Sequence, residues 1–423
     1  MVSDDANAIY VVRTSSVVPA AVTGETAVHE LTNLDLSMKL HYLHVVYYFD
    51  KEAAEELDVP IFMKPMFTWL DTYCSAAGRV RTLEGRRPFI KCNDAGVRIL
   101  EAKCSKSLEE WLEVKDHSLH KQVVYNQVID SNIRFSPLVF LQFTFFKCGG
   151  LSIGLSWAHL LGDAVTASLF INMWGQILAG KPRIQSQYLP RTQIGKADKP
   201  TKKPLSAKQI PVKDRWIVDN ESKMETLSFN ITDTQLTQLQ SKISGQFSTF
   251  ETISALFWKC LAQIRGERQP KLITICRNDA LAKGPGMLSN KQIISTAEAD
   301  FDIPGAQLSE LAKLIAEGIE DESKEIEAMM ETENGLADVL LYGANLTFVD
   351  LVDADFHGLE IKGKKPVYVS FDLAGVGDEG AVFVHSLHKK LEQETGARVV
   401  TVILPENRVL QLRNELKGEW NIN

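Results

Sequence analysis

Residues 137–178 read PLVFLQFTFFKCGGLSIGLSWAHLLGDAVTASLFINMWGQIL. Two apolar runs flank Lys147-Cys148-Gly149-Gly150, a cluster that predicts a hairpin turn. The second run alternates, with Leu151, Ile153, Leu155 and Trp157 on one face and Ser152, Gly154, Ser156 and Ala158 on the other. Period two over this length predicts a strand. The strand delivers His159 and breaks at Leu160-Leu161-Gly162-Asp163. From Ala164 a helical spacing starts, with Val165, Leu169, Met173 and Ile177 on one stripe, and Gly180 and Pro182 close it. A histidine therefore stands at the mouth of a strand–turn–helix unit, a place where enzymes put reacting groups. The pattern His-x-x-x-Asp is weak by itself, because a histidine satisfied at a strand end gives the same letters.

The rest of the chain gives it company. At 423 residues the chain is too long for one ordinary core and predicts two or three domains. Hydrophobic residues make up 45% and charged residues 24%, an ordinary balance for a globular protein. A net charge of −8 gives no footing for nucleic acid. No apolar run reaches bilayer-spanning length. The first residues, with Asp4 and Asp5, do not read as a secretory signal. The six cysteines are scattered without paired spacing and read as reduced thiols. The expected location is the cytosol or the cytosolic face of a membrane.

In chain order, strands are expected near 8–20, 44–49, 88–91 and 96–102, and a helix over 63–74. Residues 181–215 carry five prolines and ten Lys or Arg against Asp198 and Asp214. This reads as a basic linker, a solvated crossover or a surface for anionic lipid or phosphate. Beyond it, Ser248-Thr249-Phe250-Glu251 is a capping box opening a helix to Gly266. Residues 307–331 are expected as one long acidic helical region. Strands follow near 227–231, 272–276, 345–351, 366–371, 381–385 and 399–404, with a last helix over 407–416. The class is α/β, mixed α+β. Expected domains are 1–180, a crossover 181–215, and 216–423.

Several pieces together carry a resemblance: Leu31-Thr32-Asn33-Leu34-Asp35, Ala77-Gly78-Arg79-Val80-Arg81, the strand into His159-Leu160-Leu161-Gly162-Asp163, the 248–266 helix and Leu288-Ser289-Asn290. The chain resembles the BAHD acyltransferases, the plant acyl-CoA-dependent transferase family, over nearly its whole length. Ser15-Ser16-Val17-Val18-Pro19-Ala20, Met38-Lys39-Leu40-His41-Tyr42 and the 343–349 segment are similar to its ECERIFERUM/Glossy subgroup, associated with very-long-chain fatty acid extension for cuticular wax.

The resemblance implies two coenzyme-A-dependent acyltransferase-type domains joined by a long crossover, with a channel between them. His159 would sit in that channel as general base, taking the proton of a hydroxyl or amine as it attacks a thioester. Asp163 and Gly162 would be structural, with Asp163 turned from substrate and paired to an arginine of the second half, for which Arg277 is the candidate. Two departures stand out. Ala164 replaces the family's glycine after the aspartate. The second signature, Asp-Phe-Gly-Trp-Gly, is placed at Glu360-Ile361-Lys362-Gly363-Lys364-Lys365-Pro366, without its aromatic residues.

Two functions follow from the resemblance. One is an accessory protein at the cytosolic face of the endoplasmic reticulum that binds the condensing enzyme, 3-ketoacyl-CoA synthase, of the fatty acid elongase. The other is an active acyltransferase for long acyl-CoA. Acyl-CoA would be a substrate or ligand, with no tightly bound cofactor. Three His-x-x-His pairs, 41/44, 117/120 and 385/388, lack the further ligands that zinc needs. Gly375-Val376-Gly377-Asp378-Glu379-Gly380 spells a dinucleotide fingerprint but precedes a strand pattern, so a hairpin turn is expected there.

Overall fold

The computed structural model describes residues 8–113, 121–126, 136–181, 202–211, 218–279, 288–318, 320–387 and 396–422. Most of the crossover, together with His117, His120 and His388, lies outside these residues.

Two six-stranded sheets dominate. The first runs Ile9–Val17, Val97–Cys104, Val139–Phe146, Leu151–Ala158, Tyr42–Phe49 and Tyr368–Ala374. The opening hairpin is present: Val139–Phe146 pairs antiparallel with Leu151–Ala158, and Gly149 turns at φ 89°, which an L side chain resists. All eight residues of Leu151–Ala158 are buried, so both faces are covered. One face carries the helices Val59–Thr72 and Ala164–Leu178, locked by Trp69 Nε1 donating to the Phe170 carbonyl at 2.9 Å and Phe62 stacked on Phe143. The other face meets the segment around Val123. A Cβ on Gly154 would stand 2.2 Å from the Val123 carbonyl oxygen, so only glycine allows that approach.

The buried face of Ala164–Leu178 is not the Val165–Leu169–Met173–Ile177 stripe. Ala167, Phe170, Ile171 and Trp174 are buried, while Leu169 is 52% exposed. The helix carries two apolar stripes, and the one with the aromatic rings takes the core because it buries more area.

The second sheet runs Met224–Ile231, Arg398–Pro405, Ala381–Ser386, Leu346–Asp350, Leu272–Asn278 and Gln292–Glu298. Thr249–Arg265, opened by the Ser248–Glu251 capping box, supplies its main apolar face. The edge strand Gln292–Glu298 had no counterpart in the sequence reading. The long helix expected over 307–331 is two, Leu308–Glu317 and Ser323–Thr332. Gly318 breaks it, its carbonyl taking Ser295 Oγ at 2.6 Å instead of continuing the helical ladder.

The halves are joined by more than the crossover. Tyr368–Ala374 comes from the second half, yet pairs with Tyr42–Phe49 in the first sheet. The glycine segment 375–380 then carries the chain into the second sheet at Ala381. It is therefore a sheet-to-sheet crossing rather than the expected hairpin turn, since the strands it joins never pair. The buried Lys39 ammonium meets Asp338 at 2.9 Å and donates to the Leu336 carbonyl at 2.8 Å. One apolar cluster spans the seam, with Trp157 and Leu161 from one side and Leu288, Tyr342 and Phe383 from the other.

Candidate functional site

His159 is fixed by main chain on both sides. Its N–H donates to the His41 carbonyl at 3.1 Å, and its carbonyl accepts from Asn290 Nδ2 at 2.9 Å. A single turn, His159–Leu161, leads to Gly162 at φ 149°. A Cβ there would lie 2.7 Å from Thr166 Cγ2 and 2.9 Å from the Ser289 carbonyl oxygen. Gly162 thus lets the first half close on the second.

Asp163 caps the helix that follows, accepting from Thr166 N at 2.9 Å with Oδ1. Its Oδ2 accepts from Lys291 N at 3.1 Å. The expected pairing of Asp163 with Arg277 is corrected here. Arg277 meets Glu251 at 3.6 Å and donates to the Ile315 carbonyl at 2.9 Å. The Lys291 amide can sit in line with the carboxylate at a helix start, where an anion is already favoured; no second-half cation is needed.

The segment 288–291 is sewn to this turn throughout. Asp35 Oδ1 accepts both Asn290 N at 2.9 Å and Asn290 Nδ2 at 3.1 Å. Asp35 Oδ2 meanwhile accepts Thr32 N at 2.9 Å, closing a capping box on the helix Asn33–Ser37. The Ser289 carbonyl accepts from Thr166 Oγ1 at 3.1 Å. Three distant sequence motifs therefore meet around one histidine.

The imidazole itself is 1% exposed. Its Nε2 lies 3.1 Å from the Tyr342 hydroxyl, which donates to Gln292 Oε1 at 2.8 Å. A phenol has one proton. Given to Gln292, it leaves the phenol oxygen as acceptor, and the network assigns the proton of His159 to Nε2. Burial pushes the His159 pKa below its ordinary value, against the pull of its own carbonyl, Asp163 and Asn290. Burial pushes the Tyr342 phenol well up. The neighbouring His41 ring, 4.8 Å from Tyr342 between centroids, is pushed down to about 3 by burial and by His159. The cluster is a neutral network at pH 7.

Sequence reasoning did not find Tyr342 or Gln292. Their signal was proximity to quoted motifs, Gly343 onward and Asn290, without any spacing of their own. Gly343 and Gly377 hold Tyr342 in place: the Gly377 N–H donates to the Tyr342 carbonyl at 2.9 Å, and a Cβ on Gly343 would meet Gly377 N at 2.4 Å.

The second signature also needs correction. Asp355-Phe356-His357-Gly358-Leu359 begins with the family's Asp-Phe and stands ahead of Glu360, so an aromatic residue is kept. The loop is a clamp. The Asp355 carbonyl accepts from Asn172 Nδ2 at 2.8 Å, Leu359 is buried against Gly175, and Phe356 packs on Phe371. Downstream, Ile361 and Lys364 bridge across a tight turn with Lys362 and Gly363 at positive φ.

Among the described residues no group of three or more metal-ligating side chains exists. His385 is buried against Thr401. All six cysteines are free. No helix among the described residues is long and apolar enough to cross a membrane.

A family model described as the Transferase family matches residues 8–278. Protein ECERIFERUM 26-like of Arabidopsis thaliana is 40% identical over 409 residues, 95% of this chain and 94% of that protein. Protein ECERIFERUM 2 of Arabidopsis thaliana is 38% identical, across 96% of this chain and 97% of that protein. Among solved structures, the crystal structure of vinorine synthase superposes with a TM-score of 0.73 at 17% identity, covering 97% of this chain and 98% of that one. This last likeness speaks for the fold alone.

Proposed function

We infer, from the premise that this chain belongs to the BAHD transferase family and from the state of its histidine, that it works as an accessory protein of the fatty acid elongase. In this reading it binds the condensing 3-ketoacyl-CoA synthase at the cytosolic face of the endoplasmic reticulum. There it promotes extension of very-long-chain acyl-CoA for cuticular wax. The observation that carries the reading is the Tyr342–Gln292 pair on His159 Nε2. A general base needs its lone pair directed at the acceptor's proton. Here Nε2 carries the ring's proton and is held by a hydroxyl of the fold, the lone pair falls to the buried Nδ1, and the ring is closed from solvent. The ECERIFERUM name of the full-length relatives supports the wax context.

A second reading keeps the chemistry. Burial holds His159 unprotonated at neutral pH, the state a base requires. It would take the proton of a long-chain acceptor's hydroxyl or amine as that group attacks the thioester carbonyl and the coenzyme A thiolate leaves. The test is co-expression of the chain, wild type and His159→Ala, with the condensing enzyme, measuring acyl products and complex formation. The accessory reading expects the same product extension from both. Lost extension with folding and complex formation intact would overturn it. So would acyl transfer onto an alcohol by the isolated chain at enzyme-like rates.

A further inference from the structure

Ile9–Val17 is an edge strand of the first sheet, and its free edge is apolar. Tyr10, Val11 and Val12 are 55%, 53% and 51% exposed. Natural edges of this length are normally blunted by charge, proline or a covering element. A bulge between Val11 and Arg13 twists the strand, but nothing among the described residues covers it.

Beside this edge, between the strand and the helix Val59–Thr72, lies a groove of about 310 Å³. Val59 and Met63 form buried and half-buried parts of its wall, and Phe67 is exposed along it. The mouth carries Arg13 and Lys64, with half-buried Glu101 directly across the ladder from Arg13. Lys103 stands opposite Tyr10 in the same ladder and is exposed. Arg13, Lys64 and Lys103 make no ion pair among the described residues. Among the described residues, two cations stand against one carboxylate in the groove's lining, with Lys103 beside it, which makes this face positive on a chain whose net charge is −8.

We propose that this groove and edge form a membrane-docking face that seats an acyl chain of an anionic phospholipid, with the phosphate held by Arg13 and Lys64. Apolar side chains flanked by cations are the arrangement that binds the boundary between headgroups and acyl chains. A tyrosine at its margin suits that depth. A protein partner or a second copy adding a strand to the edge would need the apolar ladder but not the cations. The excess of positive charge decides for lipid. The inference stands whether or not His159 is catalytic.

Co-sedimentation of the full chain with vesicles tests it. One set is pure phosphatidylcholine and the other contains about 30% phosphatidylserine. The wild type is expected to pellet with the anionic set only, less so in high salt. Each cation removed should weaken binding about fivefold, and R13E with K64E together about 25-fold or more. Phe67→Ser, on an exposed side chain, should also weaken it severalfold while leaving the charges in place. All three positions are exposed, so the variants should keep the wild-type near-ultraviolet circular dichroism. Wild-type binding by the R13E/K64E variant, or none by the wild type, overturns the proposal. Full retention by Phe67→Ser would reduce it to surface adsorption and overturn the groove. A stable dimer split by Val12→Lys, without vesicle binding, would assign the edge to a second copy instead.

Discussion

Two histidine clusters straddle the same seam, three residues apart where the strand Tyr42–Phe49 begins, and they are built differently. At the first, His41 and His159 meet Tyr342 and Gln292 in a buried, uncharged network. At the second, His44 Nδ1 lies 3.8 Å from Asp372, which also meets Lys121 at 3.3 Å and accepts a hydrogen bond from Thr226. Burial pushes the Asp372 carboxyl up, but His44, Lys121 and Thr226 outweigh it and hold the carboxyl below the usual carboxylate range. Both clusters fasten a second-half segment to the first sheet. Only the neutral one lies on the His-x-x-x-Asp turn. A histidine buried between domains is thus no evidence of catalysis by itself. What separates the two is the group beside the ring, a phenol at His159 Nε2 and a carboxylate near His44 Nδ1.

The sharpest break to this comparison is Asp35→Ala. It strips acceptors from Thr32 N, Asn290 N and Asn290 Nδ2 at once and leaves the Asn290 donors buried. The expected loss is about 3 to 5 kcal/mol, read as a lower urea midpoint at unchanged slope. A loss under about 1 kcal/mol would mean that the 288–291 segment is held by apolar packing alone.

Next is acid sensitivity at the neutral cluster. His41 titrates near 6.5 when unfolded and at about 3 in the fold. The unfolded state therefore binds more protons between those values, and stability is full above about pH 6.5 and falls as pH drops toward 3. His41→Gln removes this titration. Relative to that variant, wild type should lose up to about 5 kcal/mol across the window, about 3 of it between pH 7 and 4. Parallel stability curves for the two from pH 7 to 4 would refute the assignment.

Much of this was legible in the letters. Alternation and the Lys147–Gly150 turn mark the hairpin, the Ser248–Glu251 box marks its helix, and the family motifs mark Asp35, His159, Asp163 and Asn290. What failed to show depends on distance in space. Gln292–Glu298 has a mixed pattern, QIISTAE, because it is an edge strand whose outer side is met by Gly318, Asp321, Glu322 and Ser323. Tyr368–Ala374 reads as a strand, but no local signal says that it joins the other sheet. The resemblance implies an arginine partner for Asp163, with Arg277 the candidate, whereas a main-chain N–H already satisfies that oxygen. Tyr342 is one tyrosine among nine until the fold sets its hydroxyl beside Nε2.

The charged cluster should answer pH in another range. Because the Asp372 carboxyl is held below its unfolded value near 4, its stability contribution is present above about pH 4 and fades only as pH falls through the folded value. Asp372→Asn should cost about 2 kcal/mol at pH 7. The gap to wild type should close in strong acid and stay constant from pH 5 to 8. A gap that instead changes between pH 6 and 7 would show the histidine, not the carboxylate, to be the titrating member.

The smallest expected effect on stability bears most on function. Tyr342→Phe removes one hydroxyl and leaves Gln292 Oε1 without its donor, at a cost of about 1 kcal/mol. It also removes the hydroxyl that meets His159 Nε2. In wild type, nitrogen chemical shifts of the His159 ring should report the Nε2–H tautomer. In the variant the share of Nδ1–H should rise, since its own carbonyl is then the nearer acceptor. If the tyrosine is what withholds the base, the variant's acyl transfer with long acyl-CoA should exceed that of wild type, and Tyr342→Phe with His159→Ala should abolish the gain. An unchanged tautomer in Tyr342→Phe would mean that the ring is set by its main-chain contacts, and the two clusters would then differ in charge but not in the availability of a proton acceptor.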